Sequence, residues 1–592
     1  MKNFRKNRLL IAFMAAVIAN LSYAEKSEEN EIIILGSYFE THNTPKKQNT
    51  KSGITVPSDS DNTDPDNDDS GDTPVDPDDH VTPVDPVKLV VVKENDVESA
   101  WKLQYGDNLS YSVSGDISSV NTTALWMTDR NTVVTNNNTL ESDYSTTNEN
   151  NNQYTVHVEN NASFINNGTI NGNNVIGVYL DNADSFENSA GASINNTGSY
   201  GVRALNTREI KNSGLIQNTG DYGIYASDVS YIENKENGTI SNAGNYGVFL
   251  QGQDSSFVNN GTIANTGKYG IHALNSTAVN YGIVENGAAW GIKSEGDTSV
   301  VENYGIVRNS GSAGMGALNG GTVINQSGGV ISNLTSNAMY AASNSKAINN
   351  GIIENQSNVG MLISGVNASG INNGEIKTNG IYGMQGDSGA EIVNNGKISN
   401  NGNEGMIIFS DKTRAINNNI IENNGNSGME MEDNGYMENN GVIQNKGDYG
   451  IYSRGIGYIK NEGTIKNTGN YGVALDNRGI VENNGLIELT GDNKTGVRNT
   501  NNGTFINNGT IKMNGQNTVG VYASSGTVIN QGDIIINGSG RGIAAYNNSH
   551  VILGAGSTIT INSSTQTYDG TETAADGTYV YVDSTSDVKT VV

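Results

Sequence analysis

The chain is predicted to be all-β, a right-handed parallel β-helix of about seventeen or more coils. Three features carry this: a repeat near 23 residues long, a fixed order of glycine and β-branched slots inside it, and no proline within it. The repeat is plainest around Asn461, Gly463, Ile465, Asn467, Gly469, Tyr471, Gly472 and Val473. Seventeen copies run from an anchor at Gly168 to one at Gly532, with Asn419 filling one anchor slot. Those anchors span 364 residues in sixteen steps, a period of 22.75. A unit this short cannot bury a core alone and must stack on its own copies.

Each slot has a physical reason. Two positions after the anchor stands Ile or Val, as at Ile170, Ile216, Val307 and Ile443, and β-branched side chains suit strands. About nine positions after it comes a second glycine, replaced once by Ala338, followed by Val, Ile or Met from Val178 to Ile543. No copy holds the ten or more residues of 3.6 periodicity that a helix needs. The anchor is expected to have positive φ, because its one exception is asparagine, the side chain that tolerates that region best. Asn stands two positions before the anchor in fourteen of seventeen copies and four positions after it in twelve. Stacked at one level per coil, such amides can donate to and accept from their neighbours, so these asparagines are read as structural.

Composition agrees with a thin solenoid. All seven prolines lie at or before Pro86, which leaves the following 506 residues free to donate every backbone N–H to a ladder. Hydrophobic residues are only 35%, too few for a thick globular core but enough for a narrow column. At about 4.8 Å per coil, seventeen coils make a rod roughly 80 Å long with about three short strands per coil.

In chain order, residues 1–24 have the form of a secretory signal peptide. Lys2, Arg5, Lys6 and Arg8 are its basic part, Leu9 to Leu21 its apolar part, and Ser22, Tyr23 and Ala24 its cleavage site. The apolar run is too short to span a bilayer comfortably, and no later segment is apolar enough. Residues 25–55 are polar apart from Ile32 to Tyr38. Residues 56–87 form a linker with six prolines, eleven aspartates and no Lys or Arg, expected to be disordered, extended and spacer-like. Within it Asp66, Asp68, Ser70 and Asp72 resemble the start of a calcium loop, but Pro77 stands where its bidentate Glu belongs. Residues 88–160, with Trp101 and Trp126, are expected to be an N-terminal cap or irregular first coils, and 161–592 the repeat domain. The chain has no cysteine, so no disulfide supports it.

Two columns of the repeat invite a functional reading. Met315, Met339, Met361, Met384, Met406 and Met429 follow the second glycine in six successive copies, half of the chain's twelve methionines. Tyr200, Tyr222, Tyr246, Tyr269 and Trp290 precede that glycine in five successive copies. Two residues apart on one strand, the columns are expected on the same face, as core or as an aromatic strip that binds glycan or protein.

Catalytic signals are sparse. His42, His80, His157, His272 and His550 are far apart and share no repeat slot, so neither a metal cluster nor a histidine-activated nucleophile is expected. Lys293, Arg308, Arg414 and Arg454 stand singly in their copies, and only stacking across coils could cluster them. No catalytic residue, cofactor site or metal site is assigned beyond the weak calcium candidate. The net charge of −28 becomes −32 once the four basic residues of the leader are removed, which disfavours nucleic acid and anionic membranes as partners.

The basic leader, the Cys-free chain and coils such as Asn507, Asn508, Gly509, Thr510, Ile511 and Asn445, Lys446, Gly447, Asp448, Tyr449, Gly450, Ile451 resemble the passenger domains of autotransporter (type V secreted) proteins of Gram-negative bacteria. The resemblance covers the leader and roughly residues 160–545, and its motifs carry no catalytic signature. It implies a β-helix displayed outside the cell, commonly as an adhesin, anchored by a C-terminal barrel of about twelve strands. Nothing after Val551 offers such strands, so outer-membrane association would need an anchor not encoded here. Two-partner secreted haemagglutinins also carry β-helices, but their Asn-Pro motifs do not occur, and the Leu-x-x-Leu-x-Leu core of leucine-rich repeats is absent. The expected function is a non-enzymatic adhesin or stalk whose partner is a host-cell or neighbouring-cell glycan or protein. The alternatives are a polysaccharide-active β-helix enzyme and a purely structural surface component.

Overall fold

The computed structural model describes residues 102–103, 110–113, 115–144, 153–569 and 575–591. The leader, the polar segment, the linker with Asp66, Asp68, Ser70 and Asp72, and Trp101 lie outside the described residues. Every coil is built alike. In one coil the first strand is Tyr458–Asn461, the second Thr464–Asn467 and the third Tyr471–Leu475. Each pairs in parallel, in register, with its equivalent one coil away: Ile459 with Val481, Ile465 with Ile487, and Val473 with Val497. Three long parallel sheets result, in a solenoid of about nineteen turns, with no helix among the described residues. The stack extends beyond the seventeen copies on both sides. Ser110–Val113 pairs with Val133–Asn136 at one end, and His550–Gly554 pairs with Asp587–Val591 at the other. The second sheet closes on an antiparallel strand, Ser564–Thr567.

The core is one continuous column. The second sheet supplies an almost unbroken row of Ile and Val, including Ile170, Ile263, Ile376, Ile465 and Ile559, all fully buried. Volume is matched between the other two sheets. Where the first sheet has Gly370, Ile363 of the third sheet takes the space, and beside it Met339, Met361, Met384 and Met406 stack in register along the third sheet. Unbranched, flexible methionine adapts readily to such a column.

Beside this column runs an amide ladder. Asn136, Asn166, Asn188 and each equivalent through Asn507 donate Nδ2–H to the Oδ1 of the next coil's asparagine, ending on Asn530, at 2.7–2.9 Å throughout. Counting from the anchor finds fourteen of its members, because Asn188, Asn234 and Asn325 stand three or four residues before Gly191, Gly238 and Gly329. The turn lengthens there and the ladder does not shift. A second ladder, at the end of the second strands, joins Asn196 through Asn309 and Asn400 through Asn467. It is interrupted from Asn333, whose Nδ2–H donates to the Asn337 carbonyl instead, through Asn355 to Thr378, and the Oδ1 of Asn333, both amide atoms of Asn355 and the Oδ1 of Asn400 have no hydrogen-bond partner.

The structure corrects the expectation for the anchor glycine. Of the sixteen glycine anchors only Gly191 has positive φ, and Asn419 does not. The constraint is the neighbouring coil: a Cβ on Gly463 would stand 2.0 Å from the carbonyl oxygen of Gly441, and one on Gly396 equally close to that of Gly374. At Asn419 the stack gives way slightly. Ile420 N–H reaches the Gly396 carbonyl at 3.4 Å, against 2.9 Å for the equivalent bond from Lys397 to Gly374. Positive φ falls instead on residues just after the third strand, such as Asn182, Asn206, Asp228 and Asn275.

A second correction concerns the aromatic and methionine columns. They do not share a face. The chain bends at the second glycine, where a Cβ on Gly223 would meet Ile240 Cγ2 at 2.8 Å and the carbonyl of Gly247 at 2.5 Å. The bend breaks the two-residue alternation, so Val, Ile or Met after the glycine enters the core. The preceding tyrosine packs with the outward-pointing side chain three residues on, as Tyr222 does with Tyr225.

Candidate functional site

The outer face of the third sheet gathers the chain's unusual side chains. Along it Tyr200, Tyr222, Tyr246 and Tyr269 stack ring on ring, with centroids 4.8–5.1 Å apart and planes within 19°. Both faces of Tyr222 are covered, by Tyr200 and Tyr246. Trp290 follows in register with Tyr269, and its indole lies over Gly316, where an added Cβ would meet the ring at 2.1 Å. The five residues predicted as a binding strip are therefore contiguous, but the stacked tyrosines spend ring faces on one another and Tyr269 is buried.

Beside them runs a second outward column: Trp126, His157, Tyr179, Arg203, Tyr225, Phe249, His272 and Lys293. His157 and His272 thus share a slot, contrary to the expectation that the histidines have none in common. The register of residues before the first anchor, invisible in the spacing, brings them together. His272 Nε2 lies 2.9 Å from Glu295 Oε2, and Lys293 Nζ is 2.9 Å from the same oxygen. Burial and the Lys293 charge lower the His272 pKa to about 4, so this imidazole is neutral at pH 7. Burial pushes the Glu295 carboxyl up, but the His272 hydrogen bond and the Lys293 charge outweigh it and keep the group ionised.

Farther along the same face stands a cluster not read from the sequence. Glu404, Glu430, Glu432 and Arg454 come from three successive coils, at outward slots or the turn slot that follows them. Arg454 bridges Glu430 at 3.2 Å and also pairs with Glu432. Ser427 Oγ–H donates to Glu430 Oε2 at 2.7 Å. Glu404 is 6% exposed and Glu430 only 1%. Burial, then the Glu430 carboxylate beside it, pushes the Glu404 pKa up to about 9, so Glu404 carries a proton at neutral pH. Burial lifts Glu432 to about 7, with Arg454 opposing and Glu430 adding to the rise. One coil on, Asp476 accepts from Tyr452 Oη at 2.9 Å and from Arg498 at 2.6 Å. The signal was present as residues 22 to 26 apart, but it becomes a cluster only once strand register and the turn after each strand are known.

Chemically, the cluster can hold and move a proton between carboxyls. Its innermost member, Glu430, is closed to a polymer, while Glu432 and Arg454 reach the surface. Because Glu404 ionises in the unfolded chain near 4.5 and in the folded one near 9, its contribution to stability is full below pH 4.5 and is lost as pH rises toward 9. Glu404→Gln is expected to flatten that fall and to raise stability at pH 9 by on the order of 3 kcal/mol relative to wild type, as read by urea unfolding at pH 5, 7 and 9. An unchanged pH profile would show that Glu404 is not held protonated.

Among the described residues, no group of His, Cys, Asp and Glu is arranged to hold a metal ion. No helix among them is long and apolar enough to cross a membrane. Comparison with protein families matches residues 354–586, less than half of the chain, to the BigA third pectate lyase-like domain. No curated protein matches the chain.

Proposed function

We propose that this chain is an exported β-helix of the autotransporter-passenger kind, a rod displayed at the cell surface that acts as a stalk and adhesive surface without catalysis. The observation that carries this reading is the first asparagine ladder, unbroken from Asn136 to Asn530. From Asn166 to Asn530 successive ladder asparagines stand only 21 to 25 residues apart, so the turns between strands are short there, and short turns build no deep side cleft around a reacting bond. A rod whose every coil is supported only by its neighbours suits holding a surface at a distance from an anchor. The leader-like residues 1–24 and the acidic, proline-rich residues 56–87 fit export and spacing.

A second reading keeps one specific observation in its favour. Glu404, Glu430, Glu432 and Arg454 fall inside the stretch matched to a pectate lyase-like domain, and a proton-holding carboxyl beside an ionic pair is a usable acid–base arrangement. The two readings part on one experiment. The purified chain is incubated with a broad panel of acidic and neutral polysaccharides and assayed for new reducing or unsaturated chain ends. The scaffold reading expects none. New ends that disappear in Glu432→Gln would replace it with the enzyme.

A further inference from the structure

Where each second strand turns toward the third, the ladder asparagine ties the bend from within. Asn445 Nδ2–H, for example, donates to the Tyr449 carbonyl at 2.7 Å. Repeated coil after coil, that bend leaves a concave channel along the outside of the rod. It opens into two hollows at equivalent slots. One, of about 490 Å³, is lined on the sheet side by Ser399, Glu422, Gln444, Lys466 and Glu488 from five successive coils. The other, of about 450 Å³, is lined by Ala264, Glu285, Arg308 and Ser332 from four. Between them lie the coils of Asn355 and Thr378, where the second ladder is interrupted.

We propose that the larger hollow is a binding site for a neutral, extended glycan lying along the rod axis. This rests on the adhesive reading above and gives it a place and a ligand class. Charge comes first. The chain as a whole is strongly acidic, yet the charged residues lining the hollow are two glutamates and two lysines, Glu422, Glu488, Lys446 and Lys466, so it is locally neutral. Such a lining favours neither a polyanion nor a polycation.

Hydrogen-bonding capacity comes second. Gln444 offers an amide and Ser399, Thr468 and Thr490 offer hydroxyls beside the amide row in which Asn424 Nδ2–H donates to Asn401 Oδ1, so both donors and acceptors line the channel. A polyhydroxylated chain needs both, whereas an apolar peptide would leave them unpaired. At its N-terminal end the hollow is lined by Asn400, 1% exposed, whose Oδ1 has no partner because Thr378 breaks the ladder. Length comes third. Five coils span about 19 Å at about 4.8 Å per coil, room for a short oligosaccharide in extended form. The stacked tyrosines of the third sheet, with their ring faces covered, do not compete for this role.

The test is titration of the full chain with cello-, chito- and malto-oligosaccharides and with oligogalacturonate, followed by saturation-transfer NMR and calorimetry. At least one neutral series is expected to bind, and oligogalacturonate to bind at least tenfold more weakly. The double variant Gln444→Leu, Lys446→Met changes two exposed side chains, so its thermal unfolding should match wild type while its affinity falls at least tenfold. The proposal is overturned if no neutral series binds, if oligogalacturonate binds as tightly, or if the double variant binds as well as wild type. Accessibility of the repeats on intact cells does not depend on any sugar, so display can stand while this site fails.

Discussion

Met384→Asp is expected to cost at least 4 kcal/mol, or to prevent the coils around it from closing, because it places a carboxylate with no partner in a column of methionines. Met384 is fully buried and stands in register between Met361 and Met406. The conservative change Met384→Leu keeps volume and polarity and should cost less than about 1.5 kcal/mol. In a solenoid the damage is local first. Coils that contact only their neighbours can melt in sections, so the aspartate variant should split a single urea transition into two. An unchanged midpoint would place the methionine column on the outside of the rod.

Asn372→Ala is the next largest effect. It removes the donor to Asn394 at 2.8 Å and the acceptor that Asn349 Nδ2–H reaches at 2.8 Å, leaving Asn349 only the longer bonds to the Gly351 and Glu375 carbonyls at 3.3 and 3.4 Å. Two short buried hydrogen bonds are lost and the buried Oδ1 of Asn394 loses its ladder donor, which together cost about 3 kcal/mol. The adjacent Asn373 is the control. It belongs to an exposed row, bonding Asn350 at 2.9 Å, and Asn373→Ala should change stability by less than about 1 kcal/mol. Equal effects in the two variants, read by urea midpoint, would show that the buried ladder does not support the stack.

Most of the fold was legible because the repeat states it seventeen times. The Ile465 and Val473 slots announce strands by β-branching and recurrence, and the absence of proline past Pro86 announces ladders. Three things were not legible. The glycine at Gly463 is demanded by a carbonyl one coil away, a contact that looks in sequence like any local turn preference. The bend at Gly223 rotates the strand between Tyr222 and Ile224, so counting by twos puts tyrosine and core residue on one face when they are on two. The meeting of Glu404, Glu430, Glu432 and Arg454 draws on different slots of the third strand and of the turn after it, so the spacings 26, 2 and 22 follow no single column of the repeat. Variable turns also hid three ladder asparagines, while the structure absorbs the extra residues without losing the hydrogen bonds.

On the function proposed here, an exported rod presents its surface outside the cell. Protease treatment of intact native cells, followed by fractionation and detection with an antibody against the repeats, tests this most directly. The account predicts repeat signal with the cell envelope or in the medium, with the cell-associated portion removed by protease while a cytosolic marker stays intact. Repeat signal confined to the cytosol and untouched by protease would contradict it.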